Sequence, residues 1–284
     1  MIKAMKKQPT KILLIMSILL VFVMMMVQVC RREVEKIDSL LIESYIPIFI
    51  IVHNHFEILK STVDSYITQI KTPFRIIFHD VCSTYEPTLN YLNEMKQNGF
   101  TVYRSEINDH HTVIMSVKDY MAKNKNLVYY VITDPDIKLY NVNGDILEYY
   151  IHLLNTYNVK SVGPMLKIDD IPDFYPRKKN VIDSHYKQFW SKTPIKIKYE
   201  NNEFEIIKCP TDTTFQLSSI KNPPESFPHQ NSIRCLHPYS AQHLDWYIDP
   251  NNLTPCQKYY METTTKISHW ANPNWKGRDI IPLL

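Results

Sequence analysis

The stretch Leu127-Val-Tyr-Tyr-Val-Ile-Thr-Asp134-Pro135-Asp136 is an apolar run that stops on two carboxylates. A strand that ends in this way projects both acids from the edge of a sheet. Hard divalent cations take oxygen ligands of this kind, and Mn²⁺ or Mg²⁺ usually shares them with a bound phosphate. A metal held by Asp134 or Asp136 would position a diphosphate and stabilise it as a leaving group. The plain alternative is a surface turn capped by two aspartates, and the flanking sequence decides between them.

Upstream, Ile46 to Val52 is continuously apolar around Pro47, as a strand buried on both faces requires. Ile58, Leu59, Val63, Tyr66, Ile67 and Ile70 then recur at helical spacing. Phe74 to Phe78 reads as a second strand. A helix with Leu89, Leu92 and Met95 on one face follows and stops near Gly99. After a short strand from Phe100 to Tyr103, Asn108 or Asp109 caps a helix carrying Val113, Ile114, Val117, Tyr120 and Met121. This alternation predicts an α/β fold, an open and mostly parallel sheet flanked by helices. Ligands of such sheets bind at the carboxyl ends of the strands. Three strand ends carry polar groups there: His53, Asn54 and His55 after the first, Asp80, Ser83 and Thr84 after the second, and Asp134 with Asp136 after the fourth. Each group alone reads equally well as loop polarity. Their joint placement on one rim is the stronger signal.

The 284 residues carry a net charge of +3, with no basic stripe interleaved with aromatics, so nucleic-acid binding is not expected. Lys3, Lys6, Lys7 and Lys11 precede an apolar stretch over 12–29 that is followed by no small-x-small cleavage site. The expected organisation is a cytoplasmic tail (1–11), a single transmembrane signal anchor (12–29), a stem (30–45) and one domain (46–284). The lysines favour a type II orientation with the domain luminal in a eukaryotic host. Asn252-Leu-Thr is then a usable N-glycosylation sequon, giving a glycoprotein. The five cysteines contain no C-x-x-C, so a zinc site is not expected. Cys82, Cys209, Cys235 and Cys256 allow up to two disulfides in a luminal domain, or none. Cys30 stands at the membrane edge.

The pattern Ile46-Pro-Ile-Phe-Ile-Ile-Val-His-Asn54, Ile77-Phe-His-Asp80-x-x-Ser-Thr84 and Val131-Ile-Thr-Asp134-Pro-Asp136 resembles nucleotide-sugar glycosyltransferases of the GT-A, Rossmann-like fold, in the broad family 2-like group. The second half resembles poorly characterised members through Lys167-Ile-Asp169-Asp170-Ile-Pro-Asp173, Pro210-x-Asp212-Thr-Thr-Phe215 and Pro238-Tyr-x-Ala-x-His243-Leu-x-Trp246-Tyr. The resemblance covers about 46–270. It implies that His53, Asn54, Asp80 and Ser83 line the nucleotide pocket and that Asp134 contacts the donor. It also implies that Asp134 and Asp136 bind Mn²⁺ or Mg²⁺, with His243 or His269 completing the coordination. The partners it implies are a nucleotide-diphosphate sugar donor and a glycan, protein or lipid acceptor, with inversion at the anomeric carbon by analogy alone.

An inverting transferase needs a general base, usually a carboxylate. Asp170, Asp212 and Asp245 are candidates, and Asp170 is preferred to Asp212 because it follows the apolar run Ser161 to Leu166. Trp190, Trp246 and Trp270 would either stack on sugars or pack in the core. Two other readings compete. Phosphatases of the haloacid-dehalogenase type also follow an apolar strand with Asp-x-Asp and use a later lysine, here Lys167, with paired acids, here Asp169-Asp170. Their motif sits on the first strand, however, and carries Thr or Val where Lys138 stands. The other is a non-catalytic sugar- or nucleotide-binding relic, against which the retention of both Asp134 and Asp136 argues.

Overall fold

The computed structural model of the chain describes residues 24–26, 28, 45–223 and 227–263. Most of the expected anchor and stem, together with Cys30, His269 and Trp270, lies outside the described residues. Among those residues no helix is long and apolar enough to cross a membrane. The unit from Tyr45 onward carries everything below.

Strand β1 (Ile46–Val52) is buried along its whole length. Its side chains alternate between two cores, as the two-residue period of a strand dictates. Ile46, Ile48, Ile50 and Val52 face the larger one, with Leu59, Val63 and Tyr66 of α1 (Phe56–Gln69). Phe49 and Ile51 face the smaller one, with Val113, Val117, Tyr120 and Met121 of α3 (Val113–Lys123). A strand covered on both faces explains the uninterrupted apolar run. β2 (Phe74–Val81), α2 (Glu86–Gln97), β3 (Thr101–Ser105) and β4 (Tyr129–Thr133) complete the first half. β3, β2, β1 and β4 are neighbours in that order and all parallel.

Beyond β4 the sheet departs from the expected parallel pattern. β9 (Gln216–Ser219) inserts antiparallel between β4 and β6 (Ser161–Pro164), which follows α4 (Ile146–Tyr157). β10 (Ser232–Cys235) pairs parallel with β6, and the hairpin of β7 (Ile195–Tyr199) and β8 (Asn202–Lys208) closes the nine-stranded sheet. Only β8 and β9 run against the other strands. The cause of the first reversal is the two-residue connection between β7 and β8. Glu200 takes the left-handed conformation there (φ 52°), as tight hairpin turns demand.

No disulfide forms among Cys82, Cys209, Cys235 and Cys256, which are free thiols. Cys209 and Cys235 belong to cores on different faces of the sheet, and the Cys256 thiol, in α5 (Pro255–Thr263), donates to Asn54 O at 3.3 Å. Asn252 of the sequon is exposed in the turn before α5.

A second, two-stranded ribbon sits at the carboxyl rim. β5 (Ile137–Lys138) pairs antiparallel with β11 (Gln242–His243). Helix α1 braces it: Tyr66 Oη donates to Ile137 O (2.7 Å), and Leu139 N donates to Ser65 Oγ (3.2 Å). From α4, Tyr149 stacks on Tyr239 (3.9 Å, 16°), and Tyr150 Oη donates to Tyr239 O (2.8 Å). Helices of the main domain thus hold β5 and the chain leading into β11.

His79 ties β2 to α3. Thr112 Oγ1 donates to Asp109 O (2.7 Å), so it accepts from His79 Nε2–H (2.8 Å), and Nδ1 accepts from Ser116 Oγ (2.8 Å). This network needs the neutral ring. Burial lowers the His79 pKa to about 4, against a weaker pull from Asp80. In the unfolded chain the ring titrates at about 6.5. Unfolding therefore takes up a proton between these values, and stability, full above the upper one, falls as pH drops through the window. Urea unfolding at stepped pH should show this loss in the wild-type chain and a flatter profile for His79→Gln. Parallel profiles would contradict the assignment.

Candidate active site

The parallel registers set Asp80 beside Val52 and Thr133 beside Ile50, so the ends of β1, β2 and β4 share one rim. At the end of β4, Asp134 N donates to Thr213 O (2.7 Å) and Thr213 Oγ1 donates to Asp134 Oδ2 (2.6 Å). The next acid, Asp136, is buried, and its carbonyl accepts Leu244 N (2.7 Å). In the β5–β11 ribbon His243 stands opposite Ile137, which carries its ring to Asp136: Nδ1 is 3.2 Å from Oδ2. Asp245, also buried, completes the group. One ligand atom each from Asp136, His243 and Asp245 lies within 4.8 Å of the others.

Burial pushes the Asp136 carboxyl well up, and Asp245 and Asp134 add to the shift. Asp134 is pushed up to about 7, chiefly by burial, against the Thr213 hydroxyl and with help from Asp212 and Asp245. His243 is held below its ordinary value by burial, against Asp245 and Asp212. Asp136 Oδ1 is buried with no hydrogen-bond partner. Converging carboxylates, an uncharged imidazole and an orphaned buried oxygen fit a divalent cation. The mixed donor set suits Mn²⁺ better than Mg²⁺, which prefers oxygen alone. The His243 ring is fixed by stacking on Trp246 (4.8 Å, 4°). Trp246 is completely buried, so of its two sequence readings it takes the core role, and Trp190 packs against the small core of Met165, Phe189 and Cys209.

On the donor side, His53 Nδ1 donates to Val81 O (2.8 Å), which leaves Nε2 to accept from Asn108 Nδ2 (3.3 Å). Asn54 is a clamp between loops. It is buried at φ 57°, its Oδ1 accepts from Thr84 N (2.7 Å) and Tyr85 N (2.8 Å), and its own N donates to Ser83 Oγ (3.0 Å). Asn54 and Ser83 therefore shape the pocket with groups turned to protein. Asp80 accepts Ser83 N (2.9 Å) through Oδ1 and pairs with the half-exposed Arg104 through Oδ2. Sequence reading missed Arg104 because only the β2–β3 register places it opposite Asp80. His55, behind Asp245 (Nδ1 to Oδ1, 4.0 Å), packs edge-on against Tyr260 (3.6 Å).

The two carboxylates predicted as bases differ. Asp170 lies at the surface with both oxygens engaged: Oδ1 by Tyr247 Oη, Oδ2 by Gln242 Nε2 (2.9 Å) and Lys167 Nζ (2.9 Å). Asp212 receives Thr214 Oγ1 (2.7 Å) and Arg234 Nη2 (3.2 Å) on Oδ1 alone. Burial raises its pKa, but Arg234 and Thr214 outweigh this and hold it below the ordinary value. Asp212 precedes Thr213, the partner of Asp134, whereas Asp170 is tied to the far end of β11.

Binding of Mn²⁺ favours the charged forms of the raised Asp136 carboxyl and of Asp134 beside it, so affinity should climb with pH, including through about 7 where Asp134 titrates. Calorimetry at two buffer enthalpies reads both affinity and proton release. Asp136→Asn and Asp245→Asn should weaken binding by more than the roughly 10–100-fold typical of outer-shell losses. In a second group, Asp109, His110 and His111, both histidines are exposed, and His111→Ala should leave the tight site intact. Unchanged affinity in Asp136→Asn would overturn the assignment.

No protein-family model and no curated protein matches the chain. Solved structures match in part. A mannosyltransferase from Pyrobaculum calidifontis, in complex with GDP-Man and Mn²⁺, is 16% identical, with 48% of this chain and 38% of that one covered and a TM-score of 0.35. TarS from S. aureus, in complex with UDP-GlcNAc, is 14% identical over 44% and 35%, with a TM-score of 0.32. Glucosyl-3-phosphoglycerate synthase from Mycobacterium tuberculosis is 11% identical over 62% and 56%, with a TM-score of 0.32. This chain spans between 35% and 56% of the length of those structures, so the likeness is partial.

Proposed function

We propose that the chain is a metal-dependent glycosyltransferase moving a sugar from a nucleotide-diphosphate donor to a hydroxyl of a glycan, protein or lipid. The observation that carries this reading is the buried group of Asp136, His243 and Asp245 at the carboxyl rim of β1–β4. Asp136, His243 and Asp245 would hold Mn²⁺, with Asp134 beside them toward the donor. The bound metal would supply positive charge to the departing diphosphate. His53, Arg104 and Asn108 border the space for the nucleoside, and the Asp80–Arg104 pair fixes the guanidinium there.

Asp212 is the better base. Asp170 already accepts three donors across its two oxygens, whereas Asp212 Oδ2 takes none of the hydrogen bonds made to that carboxylate. In a direct displacement the acceptor hydroxyl gives its proton to Asp212 Oδ2 and its oxygen bonds the anomeric carbon. The bond from that carbon to the diphosphate oxygen breaks, its electron pair leaves with the nucleoside diphosphate, and the sugar inverts. The apolar stretch 12–29 would tether the domain to a membrane as a type II anchor. The phosphatase reading needs a lysine beside the Asp134–Asp136 pair, whereas Lys167 is bound to the surface carboxylate of Asp170.

Calorimetry of UDP, GDP, CMP and dTDP with the full chain tests the donor site. One diphosphate should bind with Mn²⁺ and fail without it or in Asp136→Asn. Asp212→Asn should keep that binding and lose turnover of the matching sugar nucleotide by about 10²–10⁴-fold, the span of a general base. Phosphate release from monoesters without nucleotide binding would favour the phosphatase. Binding without turnover would favour the relic.

A further inference from the structure

The geometry points to Arg234 as a positioning residue that aims the Asp212 carboxylate, an inference that rests on the transferase reading. Arg234 lies in β10 and is almost completely buried, an uncommon place for a guanidinium. All three of its nitrogens donate. Nε donates to Pro210 O (2.7 Å), Nη1 to Pro164 O (2.9 Å) and Thr214 Oγ1 (3.0 Å), and Nη2 to Asp212 Oδ1 (3.2 Å). The guanidinium also lies over the Phe189 ring at 4.7 Å.

These contacts span the segment from Pro210 to Thr214, which carries the base at one position and the partner of Asp134 at the next. Arg234 fixes both ends of that segment to β6 and β10. Thr214 relays a second contact, since it accepts from Nη1 and donates to Asp212 Oδ1 (2.7 Å). The register sets Arg234 opposite Gly163 of β6, beside the Pro164 carbonyl it bonds. With Oδ1 held twice, the carboxylate cannot rotate, and Oδ2 is the oxygen left for the acceptor proton. The other titratable groups that feel the Asp212 charge are Asp134, His185, Cys209 and His243. A lysine could not take over, because one ammonium cannot reach four acceptors held in a planar arrangement.

The test is a double-mutant cycle on the full chain, with the sugar nucleotide whose diphosphate binds in the calorimetry above. Arg234→Lys should keep Mn²⁺ and nucleotide affinity and the donor KM. Its kcat should fall at least about tenfold, within the span a general base supplies. In an Asp212→Asn background the same change should cost nothing further, because Arg234 acts through Asp212. Thr214→Val, a milder cut in the same relay, should show a smaller loss and the same absence of effect in Asp212→Asn, and it serves if Arg234→Lys does not fold. Losses that add in the double variants, or that track a fall in nucleotide affinity, would overturn the positioning role while leaving the transferase intact. A wild-type chain that binds no nucleotide would overturn both.

Discussion

The pairing of β5 with β11 is the contact on which the site depends. Two residues on each side, with His243 opposite Ile137 and Leu244 N bonded to Asp136 O, bring together positions more than a hundred residues apart. Two-stranded ribbons are marginal by themselves. This one persists because Tyr66 and Ser65 of α1 hold one strand, and the Tyr149–Tyr239 stack and Tyr150 hold the chain leading into the other. Core packing is thereby converted into the placement of one imidazole.

The same economy governs the polar groups of the rim. Neighbouring carboxylates repel one another, and gathering Asp134 and Asp136 beside Asp245 disfavours the charged forms of the first two until a cation arrives. Protein contacts relieve the cost at the edges: Thr213 at Asp134, Arg234 at Asp212, and Arg104 at Asp80. The centre is left to Asp136, whose Oδ1 has no donor. That division separates groups that shape the site, such as Asn54 and Arg234, from groups open to a ligand.

The first half of the fold was legible because its determinants are local. Ile46 to Val52 reads as a doubly buried strand from composition alone, and the helical spacing of Leu59, Val63 and Tyr66 places α1. The strand ends then follow, and with them His53, Asp80, Asp134 and Asp136. The second half was less legible because β9 inserts between β4 and β6 through pairing that no short window records. His243 was one of two candidates for the metal, and the structure sets it against Asp136. Asp245 reads in the sequence only as a candidate base, because it lies in the short 3₁₀ turn Leu244–Tyr247 just past β11, where no strand alternation places it beside His243. Arg234 carried no local mark. Its role exists only where β6, β10 and the Pro210–Thr214 segment meet.

The central claim is that Asp136, His243 and Asp245 form the metal centre. It is tested most directly by diffraction from Mn²⁺-soaked crystals of the protein, with data collected at the manganese edge. The account predicts one dominant anomalous peak within bonding distance of all three side chains, absent in crystals of Asp136→Asn. A dominant peak at Asp109, His110 and His111, or none near Asp136, would contradict it.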